Sequence, residues 1–293
     1  MVNQTTDDRY QMDTFCCPSC KIPLKPSLLA LTCSGCGFSY PILNSIPDFF
    51  LVQSEQESVD LLNTIWGDEM MVKARNSIYR LCTRELRGMA FCMQEIARRT
   101  GPGIRILEAG MGTGDFTRWL AEVAAPGTEI YAFDCSWPML HTAQVNLQGI
   151  SSVIMFRANA RGKLPFLLSS FDILFLRLVP FGPHGVPNVT AGYQILKPGG
   201  WYFEACWDRE QYEDTWTAWA LKHGFEHAEQ HTWQYYRPVT EEEELARKVE
   251  QAAWQAVQKE TSSAYFSDVR MTTENLLIAQ KPPNIDPPER NTI

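Results

Sequence analysis

Residues 104–114 read Ile-Arg-Ile-Leu-Glu-Ala-Gly-Met-Gly-Thr-Gly, and this stretch constrains the fold more than any other part of the 293-residue chain. The apolar run predicts a buried strand, Gly110, Gly112 and Gly114 predict a tight turn, and a helix start is expected after them. The next apolar run ends at Asp134, one strand–helix–strand unit later. A strand, a glycine turn, a helix and then an acidic residue form a cradle for an adenosine-containing cofactor. The details of the turn select among such cofactors. A dinucleotide fingerprint has its third glycine three positions after the second, where this chain has Asp115; Gly114 comes one residue early. Together with Glu108, this acidic rim would repel a pyrophosphate at the helix N-terminus. S-adenosylmethionine (SAM) has no phosphate and carries a sulfonium and an ammonium, which the same carboxylates suit. The turn therefore predicts SAM rather than NAD.

Further motifs follow in order: Ala132-Phe-Asp134, Ser136-Trp-Pro-Met139, Arg157-Ala-Asn159-Ala160, Ser170-Phe-Asp-Ile-Leu-Phe-Leu-Arg177 and Ile195-Leu-Lys-Pro-Gly-Gly200. With Glu108–Gly114, this series resembles the class I SAM-dependent methyltransferases, in the branch of the ubiquinone and menaquinone methyltransferases. The resemblance runs from about residue 100 to residue 280. It implies an α/β fold: a Rossmann-like, seven-stranded, doubly wound sheet whose strands and helices alternate through Gly200. Residues 275–281 would supply an antiparallel last strand. It also implies a cofactor-binding set of Glu108, Gly110, Gly112, Gly114, Asp134, Cys135, Met139, Asn159, Ala160 and Arg177. The glycines would let the backbone approach the methionine portion of SAM, and Asp134 can accept from both ribose hydroxyls. Asn159 stands where the family commonly has an acidic residue facing the adenine amino group; its side-chain oxygen can still accept from that group.

Nine cysteines are present. The N-terminus has neither a basic nor an apolar segment, so no signal peptide and a cytoplasmic location are expected, and cytosolic thiols stay reduced. Cys17-Pro-Ser-Cys20 and Cys33-Ser-Gly-Cys36 form two paired knuckles, and four thiolates in this spacing suit a structural Zn²⁺. A segment of about fifty residues has little core of its own, so metal binding would supply much of its folding free energy. Cys16 does not fit the knuckle register, and Cys82, Cys92, Cys135 and Cys206 read as packing residues. The continuation Tyr40-Pro-Ile…Ser45-Ile-Pro-Asp48 resembles the zinc ribbon of the tRNA and protein methyltransferase activator family, with Ser45 in place of a usual glycine.

These readings divide the chain into a zinc ribbon (1–53), a helical linker or cap (54–102), a methyltransferase domain (103–282) and a disordered tail (283–293). The cap has helical spacing from Ile78 to Ile96, and Thr100-Gly-Pro-Gly103 ends it. A later helix, 240–259, starts with Thr240 capping Glu243. No apolar run is long enough to span a bilayer. The acceptor site is expected beyond the carboxyl ends of strands four and five. Arg177, Phe181, His184, Trp201, Glu204, Trp207 and Asp208 come from there, and Trp216, Trp219, Trp233, Tyr235 and Tyr236 are further aromatic walls. His184 is the candidate general base, while His223, His227 and His231 read as surface residues. The expected activity is methyl transfer to a small organic acceptor: a metabolite, natural product or quinone-like compound. The alternatives are an rRNA or tRNA base methyltransferase and a SAM-binding partner protein without catalysis. Net charge of −8, with Arg9, Lys21 and Lys25 facing seven acidic residues in positions 1–60, counts against nucleic acid.

Overall fold

The computed structural model describes residues 14–50, 69–160, 162–177, 189–207, 216–236, 240–257 and 271–283. Its first elements are four short antiparallel strands, β1 (Leu24–Pro26), β2 (Ala30–Cys33), β3 (Ser39–Leu43) and β4 (Ile46–Pro47), paired in that order. Asn44 and Ser45 join β3 to β4 with φ of 49° and 63°. Such a two-residue turn needs the left-handed region at both positions, which explains the glycine usual at position 45.

Two helices follow, α1 (Glu69–Cys82) and α2 (Arg87–Ala97), as the helical spacing predicted. No side chain of its own caps α2. The cap comes from the far end of the chain, where Met89 N–H donates to Glu274 Oε2 (2.8 Å) and the Tyr235 hydroxyl donates to the other oxygen. A carboxylate is favourable at a helix N-terminus. Gly88 makes room for it, because a Cβ there would lie 2.7 Å from Glu274 Oε2.

The remaining elements are β5 (Arg105–Ala109), α3 (Asp115–Val123), β6 (Glu129–Asp134), α4 (Trp137–Asn146), β7 (Val153–Arg157), β8 (Phe171–Arg177), α5 (Val189–Ile195), β9 (Leu196–Trp207), α6 (Trp216–Lys222), β10 (Glu226–Tyr236), α7 (Glu241–Val257) and β11 (Met271–Gln280). Among the described residues the strands form one seven-stranded sheet in the order β10-β11-β9-β8-β5-β6-β7. Strands β5 to β9 run parallel, and β11 is antiparallel to both neighbours. The chain winds outward from β5 to β7 and then crosses back to β8. The carboxyl ends of β5, β6 and β8 thus form the topological switch point where open α/β sheets bind ligands.

One face of the sheet is covered by α1 to α4, through Ile78, Met93, Phe116, Leu120, Leu140 and Ala143. The other face departs from the expected alternation. No helix lies among the described residues between β7 and β8, although a parallel crossover usually carries one. The N-terminal ribbon fills that place. Its Phe15, Leu24, Leu31, Tyr40 and Phe49 share a continuous core with Tyr131, Phe133, Phe156, Phe166 and Phe171. Cys16 N–H donates to Pro165 O (2.8 Å), and Lys21 Nζ donates to Leu164 O (2.9 Å). The ribbon also pairs with the open edge of the sheet, Phe49 N–H donating to Arg157 O at 2.8 Å. Edge strands are blunted by such cover. The ribbon is a layer of this core rather than an appendage to it. No helix among the described residues is long and apolar enough to cross a membrane.

Candidate functional site

Strand register brings the sequence-predicted residues together. Asp134 is the register partner of Arg157, Ala109 that of Phe133 and Leu176, and Arg177 that of Ala205. One row at the carboxyl edge therefore runs Arg157, Asp134, Gly110, Arg177, Ala205. Glu108 lies just below it on β5, and Cys135, Asn159 and Ala160 follow the strands beyond it. The glycine turn is pinned to β6: Gly110 and Met111 N–H both donate to Phe133 O at 2.9 Å. Gly110, Gly112 and Gly114 have φ of 75°, 56° and 82°, a region L-residues adopt at a cost. A Cβ on Gly114 would lie 3.2 Å from Ala143 and Leu147, so this glycine sets the approach of α3 to α4. A Cβ on Gly112 would meet nothing within 4 Å, which leaves open space over the turn.

Asp134 is oriented by its own turn. Gly112 N–H donates to Oδ2 and Ser136 N–H to Oδ1, both at 2.9 Å. Burial pushes this carboxyl above its ordinary value, while hydrogen bonds from the backbone of Ser136, Gly112 and Cys135 and from the Cys135 thiol pull it down. Ser136 caps α4 by accepting from Met139 N–H (3.3 Å), which fixes the buried Met139 beneath the turn. Cys135 is half-buried.

Glu108 is 1% exposed. Burial raises its carboxyl to about 7, against the pull of the Thr117 hydroxyl and the Arg177 charge and with Asp134 adding to the rise. Its Oε2 has no hydrogen-bond partner among the described residues. This is a buried, unpaired acceptor on the strand that leads into the glycine turn. Arg177 is buried as well, its guanidinium carbon 3.6 Å from the Phe116 ring centre and 4.6 Å from that of Tyr79. It serves as internal counter-charge to Glu108 and Asp115. The sequence carried no sign of Tyr79 and Phe116 as its partners, because they come from α1 and α3.

At the β7 end of this row, Arg157 links several groups. Its Nε donates to Cys135 O (2.7 Å), and its Nη1 lies 3.3 Å from Asp48 Oδ2 of the ribbon. The guanidinium carbon sits 4.2 Å from the Phe50 ring centre and 5.2 Å from that of Trp137. Sequence reasoning passed over Asp48, Phe50 and Arg157 as site residues; Asp48 stood only as part of a ribbon motif.

The acceptor side is only partly as expected. Glu204 is buried near the end of β9 and accepts from the Tyr202 hydroxyl (2.6 Å), with Trp216 and Trp219 buried in the core on the Tyr202 face. Trp201 is not at the site. It pairs with Ile173, four residues and about 13 Å from the Arg177 row, and stacks on Arg99 at 4.0 Å. Trp233 and Tyr235 turn instead to α2, against Phe91 and Arg87, and Tyr236 is exposed. Phe181, His184 and Asp208 lie outside the described residues, as does the tail from residue 284.

Cys17, Cys20, Cys33 and Cys36 place their sulfurs within 4.8 Å of one another, the one such convergence of potential metal ligands among the described residues. Cys17 and Cys36 are 3.7 Å apart, and Cys20 and Cys33 3.3 Å. Tetrahedral Zn–S bonds of about 2.3 Å set sulfurs about 3.8 Å apart. Gly35 N–H donates to Cys33 Sγ (3.4 Å), and the Tyr40 hydroxyl lies 3.2 Å from Cys17 Sγ. Cys16 stands outside the cluster, as its register predicted.

Residues 106–200 match the family model described as "Methyltransferase domain". The ubiquinone/menaquinone biosynthesis C-methyltransferase of Ectopseudomonas mendocina is 31% identical over 105 residues, 34% of this chain and 40% of the relative. The demethylmenaquinone methyltransferase of Lactiplantibacillus plantarum is 37% identical over 101 residues, 32% and 41% of the two chains. The chain spans about two fifths of the length of these curated relatives. Among solved structures, phosphoethanolamine N-methyltransferase 2 of Haemonchus contortus, in complex with phosphomonomethylethanolamine and S-adenosylhomocysteine, aligns with a TM-score of 0.52 at 18% identity. That alignment covers 80% of this chain and 62% of the other and concerns the fold alone. The residues that match the methyltransferase-domain model, 106–200, hold the switch point of the seven-stranded sheet.

Proposed function

We propose that the protein transfers the methyl group of SAM to a small organic acceptor, such as a metabolite, a natural product or a quinone-like compound. The observation that carries this reading is the convergence of the open glycine turn, oriented Asp134 and buried Glu108 at one end of the sheet. In it, Asp134 binds the ribose hydroxyls, and the turn at Gly110, Gly112 and Gly114 lies against the methionine portion. Glu108 and Arg177 set the charge beneath the turn, while Cys135, Met139, Asn159 and Ala160 border the adenine. SAM supplies a methyl group already activated on a sulfonium. The chain's own contribution is to hold donor and acceptor in line, which is worth roughly 7–11 kcal/mol in favourable cases.

Buried aromatics near Glu204 and the quinone-pathway names of the relatives support a small, lipophilic acceptor, and the acidic charge disfavours RNA. His184 is the proposed base where the acceptor must lose a proton. A Zn²⁺ on Cys17, Cys20, Cys33 and Cys36 is the proposed structural metal. The proposed organisation is ribbon 1–53, cap 54–102, methyltransferase domain 103–282 and tail 283–293. The test is methyl-labelled SAM offered with a metabolite extract and, in parallel, with total RNA. Label in the small-molecule fraction supports the reading; label in RNA, or in neither, overturns it.

A further inference from the structure

We propose that the ribbon is a positioning element of the cofactor site, acting through Asp48 on Arg157. This rests on the SAM reading of the crevice and assigns the ribbon a part in it beyond folding. The two segments bordering the adenosine end, 135–139 and 158–160, both depend on Arg157. It ends β7 immediately before Ala158, and its Nε holds the carbonyl of Cys135, the residue after the ribose-binding Asp134. Arg157 is itself held by the ribbon. Asp48 divides its oxygens, Oδ1 accepting from Phe50 N–H (2.9 Å) and Oδ2 facing Arg157 Nη1 (3.3 Å). Phe49 N–H extends the same contact to the Arg157 carbonyl, and the rings of Phe50 and Trp137 flank the guanidinium. The side chains of Arg157 and Asp48 are only 12% and 9% exposed, so solvent screens the pair weakly.

The sequence interval explains why no local motif announces this link: Asp48 and Arg157 are 109 residues apart. Its consequence is thermodynamic. A group that orients a binding segment from behind changes ligand affinity without touching the ligand, and two residues acting through one contact do so non-additively. Asp48 and Arg157 are positioning residues in this sense.

The experiment is a calorimetric titration of full-length, zinc-loaded protein with S-adenosylhomocysteine, alongside metal content and melting temperature. The proteins are wild type, Asp48→Asn, Arg157→Gln and the double variant. Asparagine keeps the acceptor for Phe50 N–H and removes the charge. Each single variant should bind on the order of tenfold more weakly, as when a group that orients a ligating residue is removed. The double variant should be no weaker than Arg157→Gln alone, with zinc content unchanged. Affinity of Asp48→Asn within about twofold of wild type, or losses that add in the double variant, overturns the link while leaving the cofactor site intact. Wild type that binds no S-adenosylhomocysteine overturns the site itself and the link with it. Arg157→Lys covers the case of a ribbon that fails to fold in the asparagine variant. Lysine keeps a charge for Asp48 but cannot also span to the Cys135 carbonyl, so weakened binding with full zinc is expected, and wild-type affinity refutes the proposal.

Discussion

Replacing Glu108 by glutamine isolates the energetic conflict beneath the glycine turn. The wild-type carboxyl is 1% exposed on β5 and is raised by burial from 4.5 to about 7. In the unfolded chain its ordinary value returns. The native state therefore holds the proton more tightly, so the contribution of Glu108 to stability falls as pH rises. The penalty is absent below about 4.5, grows through the interval and is complete above about 7. Its full size is about 3 kcal/mol, from 1.36 kcal/mol for each tenfold change in proton affinity. Glutamine has nearly the same shape and never ionises. Urea unfolding of cofactor-free protein should place wild type and Glu108→Gln within about 1 kcal/mol at pH 5, with the variant ahead by up to about 3 kcal/mol at pH 8. Burial also raises Asp115 and Asp134, but both are present in the two proteins, so the difference between them reports Glu108. The same change removes a negative charge from the site, so SAM should bind on the order of tenfold more weakly at pH 8. A variant whose stability runs parallel to wild type from pH 5 to pH 8 would refute the buried, costly carboxylate.

Other consequences follow from the packing. Ser45→Gly should stabilise the protein by about 1 kcal/mol by relieving a left-handed serine, read as a higher urea midpoint; a lower midpoint contradicts the turn assignment. Glu274→Ala leaves Met89 N–H and the buried Tyr235 hydroxyl without their acceptor and should cost about 2–4 kcal/mol, whereas a loss under about 0.5 kcal/mol would contradict its role as a helix cap. Cys17→Ser with Cys33→Ser should abolish zinc binding and lower the melting of the whole seven-stranded sheet, because the ribbon shares a core with one of its faces. A metal-free variant that melts with wild type in calorimetry would contradict the shared core.

What the sequence revealed was what short intervals encode. The β5 turn, the strand ending at Asp134, the Thr240 cap and the cysteine knuckles each lie within a few residues, and each formed where its pattern predicted. What was missed depends on contacts between distant segments. The expected alternation fails between β7 and β8 because Phe15, Leu24 and Tyr40 supply the covering layer from the other end of the chain. The ring partners of Arg177, Tyr79 and Phe116, were not legible as such because they come from two different helices. Trp201 was expected on the acceptor side, but it lies near the start of the part of β9 that pairs with β8. With twelve residues, the strand carries its first aromatic to the opposite end of the sheet. Trp233 and Tyr235 likewise follow β10 away to α2.

On the proposed reading, the turn at Gly110–Gly114, with Asp134, holds SAM. Calorimetric titration of wild type and Asp134→Ala with SAM, S-adenosylhomocysteine and NAD tests it directly. One-site, saturable binding of the first two ligands to wild type is expected, at least tenfold weaker in the variant, with no comparable binding of NAD. Equal affinity of both proteins for SAM, or tighter binding of NAD than of SAM, would contradict it.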